Sequence, residues 1–131
     1  VPVYKTVPPP SWRWPTDGKV LIRYGQSVKT ESGIRIGGSV GQWVFAVAPG
    51  EVVYAGDGLA SYGQLLIIKH NESWLSAYGF NSELMVGEGN RVRAGQPVAR
   101  MGQDSAGAAQ LHFEIRRNGE PVNPLYYLPA R

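Results

Sequence analysis

A chain of 131 residues can bury a real core as one domain, and its 43% apolar and 18% charged content excludes a disordered segment. The net charge of +3 is scattered, with no basic run longer than Arg116-Arg117 and no basic-aromatic stripe, which argues against nucleic acid as a partner. With no cysteine there is no disulfide framework or thiolate chemistry, and no apolar run is long enough to span a bilayer.

The chain begins at Val1 with neither methionine nor a signal sequence, so it reads as a fragment or mature product. Residues 1–15, "VPVYKTVPPPSWRWP", favour extended polyproline II, and 1–11 are read as a proline-rich linker to a domain over 12–131. Trp12 and Trp14 are expected to lock the end of that linker onto the globule. Strands are predicted at 19–25, 32–38, 43–56, 63–71, 74–80, 90–102 and 111–117, rich in β-branched and aromatic residues and punctuated by glycine turns. Helical turns have room only in "NSELMV" (81–86) and "NPLYYLPA" (123–130). "APGE" (48–51) and "RNGE" (117–120) look like hairpin connections, the second carrying the Asn-Gly signal. A weak echo, Gly41-x-x-Val44 to Gly50-x-Val52 and Gly89-x-x-Val92 to Gly95-x-x-Val98, suggests two similar hairpins in an antiparallel β-sandwich. Biotinyl and lipoyl carriers use a similar hairpin, but they need a lysine at its tip and none follows Lys69.

Chemistry-bearing residues are few. His70 ends an apolar strand and is expected to be structural, and Asp57 and Asp104 lie in turns with no evident partner. No nucleophile context surrounds either histidine, and no glycine-rich loop precedes a helix. The suggestive stretch is "QLHFEIRR", where Leu111, Phe113 and Ile115 alternate with Gln110, His112, Glu114 and Arg116. One face belongs to a core and the other presents four polar side chains together.

"RWPTDGKV", "SGIRI", "AVAPGEVVYAG", "YGQLLIIKHN", "LSAYGFN", "VRAGQPVARMG" and "LHFEIRRNGEPVNPLYYLP" follow the order of motifs in the lysostaphin/LytM-type zinc metallopeptidases. The resemblance spans 12–129 and is nearest the NlpD- and EnvC-like branch, the activators of cell-wall amidases. It implies an all-β, antiparallel sandwich of the LytM type, a duplicated hybrid motif, with short helical turns. In active members a His-x-x-x-Asp pair and the second His of a His-x-His hold zinc, and two more histidines assist. Carried onto this chain, those five positions are Glu31, Arg35, Phe80, Gln110 and His112, so only His112 keeps its identity. Zinc in a hydrolase needs three protein ligands and an open position for water. Glu31 offers an oxygen; Arg35 offers donors only, and its fixed charge repels a dication. Phe80 moves no proton, and Gln110 acts neither as base nor as imidazolium. Two positions four apart on a straight strand lie about 13 Å from each other, and Gly33 is expected to supply the bend.

The expectation is a domain without catalytic residues, metal or cofactor, whose former active-site groove binds a partner. Arg35, Tyr62, Phe80, Gln110, His112 and Arg116 are expected to line that groove, with Arg116 facing solvent. The resemblance implies a periplasmic N-acetylmuramoyl-L-alanine amidase as the partner, in peptidoglycan remodelling and daughter-cell separation. It also implies a full-length outer-membrane lipoprotein, touching membrane only through an upstream lipid anchor and carrying a LysM module. Two rivals stand beside it. One places peptidoglycan itself in the groove, its carboxylates meeting Arg35 and Arg116. The other keeps weak zinc endopeptidase activity on Glu31 and His112.

Overall fold

The structure is a computed structural model that describes residues 6–131. Within them the chain forms β1 (Val20–Ile22), β2 (Ile34–Gly37), β3 (Trp43–Phe45), β4 (Gly50–Gly56), β5 (Gln64–Lys69), β6 (Trp74–Leu84), β7 (Arg91–Val92), β8 (Pro97–Met101), β9 (Gln110–Arg117) and β10 (Glu120–Val122). Short 3-10 turns occupy Val28–Thr30, Ala60–Tyr62 and Pro124–Tyr126. The fold is all-β and antiparallel, as the strand pattern predicts. The main sheet runs β1-β2-β9-β6-β5-β4-β7, with β10 beside β9 and β8 bridging β3 and β6.

Three local expectations are corrected. Residues 81–84 of "NSELMV" continue β6 as strand, because Asn81, Glu83 and Leu84 pair with Met101, Arg100 and Ala99 of β8. "APGE" closes no hairpin: β3 pairs with β8 while β4 pairs with β5 and β7, so this turn carries the chain from one pairing partner to another. The two glycine-valine echoes do not make separate hairpins either. They interlock, β3 with β8 and β4 with β7, through matched bonds in which the Met101 amide donates to the Gln42 carbonyl (2.7 Å) and the Val52 amide to that of Asn90 (2.9 Å). By contrast "RNGE" is the hairpin its Asn-Gly pair predicts. Asn118 (φ 50°) and Gly119 (φ 84°) are both left-handed between β9 and β10.

The core lies between the main sheet and the β3–β8 arm. Ile34, Ile36, Leu66, Ile68, Tyr78, Leu111, Phe113 and Ile115 meet Val44, Val47, Val98 and Met101 there. Burying one such side chain stabilises by roughly 1.5–3 kcal/mol. Trp12 joins this cluster, edge-on to His70 (5.2 Å) and Trp74 (5.9 Å). Trp14 donates its indole N–H to the Pro129 carbonyl (2.7 Å) and lies under Arg131 (3.8 Å). The described part of the proline-rich stretch lies against the sheet. The Val7 amide donates to Ser73 Oγ (2.8 Å), and Trp74 Nε1 to the Val7 carbonyl (2.7 Å). Residues 1–5 of the expected linker lie outside the described residues.

One feature of β9 departs from simple alternation. Its inward residues Leu111, Phe113 and Ile115 are fully buried, yet Gln110, His112 and Glu114 on the opposite face are also only 3–4% exposed. The tyrosine-bearing turn and the loop before β9 cover this polar face.

Candidate functional site

The antiparallel register of β2 and β9 sets Arg35 directly opposite His112. Gly33, one residue before β2, holds the strands together here. A Cβ at that position would lie 2.3 Å from the Phe113 carbonyl oxygen, so close approach of backbone, rather than a bend alone, requires glycine. The bend expected between Glu31 and Arg35 is there: the backbone bends over residues 31–33, Gly33 among them, after the 3-10 turn at Val28–Thr30 and before β2.

Arg35 is 7% exposed, and its Nε donates to His112 Nδ1 (2.8 Å) while Nη2 donates to the Lys29 carbonyl (3.3 Å). Its guanidinium lies 4.7 Å above the Phe80 ring, a cation–π contact. Arginine only donates, so Nδ1 must be the acceptor nitrogen of His112. The ring proton therefore sits on Nε2, which donates to Glu114 Oε2 (2.7 Å). Tyr62 donates its hydroxyl to the same oxygen (3.3 Å) and tilts its ring over His112 at 5.4 Å. Arg116 Nε donates to Glu114 Oε1 (2.8 Å), and its Nη1 to the Gly119 carbonyl (3.1 Å). Arg35, His112, Glu114 and Arg116 thus form one hydrogen-bonded chain with Tyr62 as its cover.

Electrostatics follows from that wiring. Burial pushes the Glu114 carboxyl upward, but the hydrogen bond from His112 and the bond and charge of Arg116 more than offset it, so the net direction is down. Burial lowers Arg35 while Asp104 and Tyr62 pull the other way, and a guanidinium keeps its proton regardless. Burial and then the Glu114 carboxylate raise the Tyr62 phenol, which stays a donor.

The expected lining is therefore only partly accessible. Arg35, Phe80, Gln110 and His112 are buried and form a floor. Within that floor Gln110 Nε2 is hydrogen-bonded to Asp104 Oδ2. Asp104 is not partnerless, since its Oδ1 also accepts from the Ala106 and Ala108 amides (both 2.9 Å). The Ala108 amide leads in lowering its pKa, and the Ala106 amide, Gln110 and the Lys29 charge add to it against the opposing effect of burial. Arg116 does not project freely: its side chain is 30% exposed and leans back onto Glu114. Glu31 is exposed and borders, with Lys29, Arg35, Tyr62 and His112, a polar hollow of about 250 Å³. Tyr62 stands between this hollow and a second one of about 340 Å³. The second hollow lies on the outer face of β5, β6 and β9, walled by Leu59, Leu65, Ile67, Leu75 and Ala77, with Glu114 and Arg116 at one side. Sequence reasoning missed these apolar residues. The signal was the unbroken run Leu65-Leu66-Ile67-Ile68: a strand apolar on both faces is covered on both, or meant to be.

An all-β antiparallel fold with a filled polar site on one sheet face has a family. Residues 29–124 match the family model described as peptidase family M23, and the chain belongs to that family. Among relatives, the chain is 52% identical over 126 residues to the murein hydrolase activator NlpD of Salmonella dublin, covering 96% of this chain and 33% of that protein. It is 51% identical over 120 residues to the lipoprotein NlpD/LppB homolog of Pseudomonas aeruginosa, covering 92% of this chain and 40% of that one. The chain thus spans about a third to two fifths of the length of these curated relatives. In structure it superposes on an M23 peptidase from Pseudomonas aeruginosa with a TM-score of 0.80 at 21% identity, covering 93% of this chain and 53% of that one. Against the catalytic domain of lysostaphin from Staphylococcus simulans the TM-score is 0.72 at 23% identity, covering 84% and 89%. These two likenesses concern the fold.

The residues of the site do not fit a zinc ion. His112 has one lone pair in the ring plane, and Arg35 holds it. Among the described residues, no group of three or more His, Cys, Asp or Glu side chains is placed to hold a metal.

Proposed function

We propose that this domain is a non-hydrolysing activator of a periplasmic N-acetylmuramoyl-L-alanine amidase, part of a longer outer-membrane lipoprotein that serves peptidoglycan remodelling and daughter-cell separation. The observation that carries the reading is the filled site. Metal-assisted hydrolysis needs ligands with free lone pairs and a position open to water. This chain sets a guanidinium on its one histidine there and closes the remaining polar face with Glu114, Arg116 and Tyr62. The names of relatives 51–52% identical, murein hydrolase activator and lipoprotein, support the same role. Peptidoglycan binding through Arg35 and Arg116 is the weaker reading, because each guanidinium already donates to two intramolecular acceptors.

The docking surface is the groove with its polar residues as floor and its apolar trough as the accessible wall. Tyr62 and Arg116 form the rim, and Leu59, Ile67 and Leu75 receive apolar side chains of an amidase segment. Aromatic and arginine anchors around such a trough carry most of the affinity of a typical interface. No cofactor and no nucleic acid enters this reading. The test mixes the domain, a purified amidase and dye-labelled sacculi. Dye release only when both proteins are present is the expected result. Release by the domain alone makes it an enzyme; co-sedimentation with sacculi without any stimulation makes it a binding module.

A further inference from the structure

The groups that surround Arg35 are an unusual company. An imidazole lone pair from β9, a backbone carbonyl from the 3-10 turn at Val28–Thr30 and the π face of Phe80 all point electron density at one guanidinium. Phe80 is itself held in the left-handed region (φ 65°), a conformation that costs a bulky side chain about 1–2 kcal/mol and persists only when its surroundings impose it. Convergence of electron-rich groups from separate elements is how a fold coordinates a cation. Here the cation is covalently part of the chain.

We propose that Arg35 is a built-in cation that does the structural work of a metal: it ties the 3-10 turn, β9 and the bend of β6 together, fixes the tautomer of His112, and closes the site to divalent ions. The claim concerns the folded domain alone and stands whether or not an amidase docks in the groove. Arg35 is a positioning residue; it acts through His112 and Glu114.

The chain contains its own control. It has two histidines. His70 Nδ1 faces the Pro49 carbonyl (2.7 Å), which can only accept, so His70 carries its proton on Nδ1 and accepts at Nε2 from Ser76 Oγ (2.7 Å). His112 carries its proton on Nε2. One protein should therefore show both tautomers at once, and only one of them depends on Arg35.

Imidazole ¹⁵N spectra of the whole domain test this directly. The expected result is a His112 ring protonated at Nε2, with Nδ1 scalar-coupled to Arg35 Nε across the hydrogen bond. That signature stays unmoved by one equivalent of zinc chloride or by chelator. A His112 proton on Nδ1, or a zinc-induced displacement of its resonances, overturns the proposal. Arg35→Met should lower the melting temperature by roughly 5–10 °C and change the His112 pattern while leaving His70 alone. A variant that melts with the wild type and keeps the His112 pattern refutes the structural role. If Arg35→Met does not fold, the wild-type spectra decide by themselves.

Discussion

At the scale of single residues, Glu114 organises the site. Its carboxylate is almost wholly buried and accepts from His112, Tyr62 and Arg116 at once, which is why it stays ionised despite its burial. Arg116 accordingly holds that carboxylate in place, and the proposed docking surface would give it a second duty. Removing it unpairs part of a buried carboxylate, so Arg116→Ala is expected to cost about 1–2 kcal/mol of stability, less than the 3–5 kcal/mol of a fully buried pair because its own side chain is 30% exposed. Urea denaturation checks this. An Arg116→Ala protein as stable as the wild type would mean that the Glu114 contact contributes nothing. Amidase stimulation should fall as well, when assayed at a temperature where both proteins are fully folded, because the same guanidinium borders the apolar trough. The reading of Arg116 as a free solvent-facing anchor erred because a strand face shows which residues share a side. It does not show whether they turn outward or onto one another.

At the scale of elements, the β2–β9 pair and the outer face of β5 do different jobs. The β2–β9 register brings Arg35 to His112, and Gly33 permits that register. Gly33→Ala should lower stability by about 2–4 kcal/mol, since the added Cβ meets a backbone carbonyl that cannot swing aside. A circular-dichroism melt indistinguishable from the wild type would show that the strands tolerate a wider gap. Ile67 tests the other element. It is half-buried and points out of the sheet into the trough, while its neighbours Leu66 and Ile68 fill the core. Ile67→Glu is expected to reduce amidase stimulation by about thirty-fold, the size of a hot-spot loss of roughly 2 kcal/mol, with the fold retained. Lys69→Ala, at the exposed end of the same strand, should leave stimulation intact. Equal effects of the two changes, or none from Ile67→Glu, would move the docking surface elsewhere.

At the scale of the whole molecule, buried titratable groups set the response to acid. Burial lowers the pKa of His70 below its ordinary value, against a smaller upward pull from the Pro49 carbonyl. The unfolded chain thus binds a proton there, near pH 6.5, before the folded one does. Stability from His70 is complete above that value and is lost as pH falls toward the folded pKa. Glu114 and Asp104 have lowered folded pKa values, so their contributions are present above the ordinary carboxylate range and vanish as pH drops through the folded values. Urea titrations from pH 8 to pH 3 should therefore show a plateau, a first decline beginning near 6.5, and a second one below about 4.5. In His70→Gln the first decline should disappear; its persistence would assign that step to another group.

Much of this protein was legible in its residues. Branched and aromatic runs between glycine turns specify antiparallel strands, Asn118-Gly119 specifies its hairpin, and seven ordered motifs specify the family, because these signals are local and the backbone obeys them without help. That a guanidinium and a phenyl ring, as at Arg35 and Phe80, offer a metal no lone pair is likewise a matter of residue type alone. Two matters needed the third dimension. Which strand pairs with which escaped the sequence, since the 41–52 and 89–101 segments bond to each other across the chain and local turn signals carry no information about distant partners. The fate of the polar face of β9 escaped it too. A polar side chain is wet or buried according to what lies over it, and here distant elements bring the covering groups. The turn at Ala60–Tyr62 and the register with β2 bring Tyr62 and Arg35 onto His112, and so turn a row of polar residues into a buried hydrogen-bonded chain.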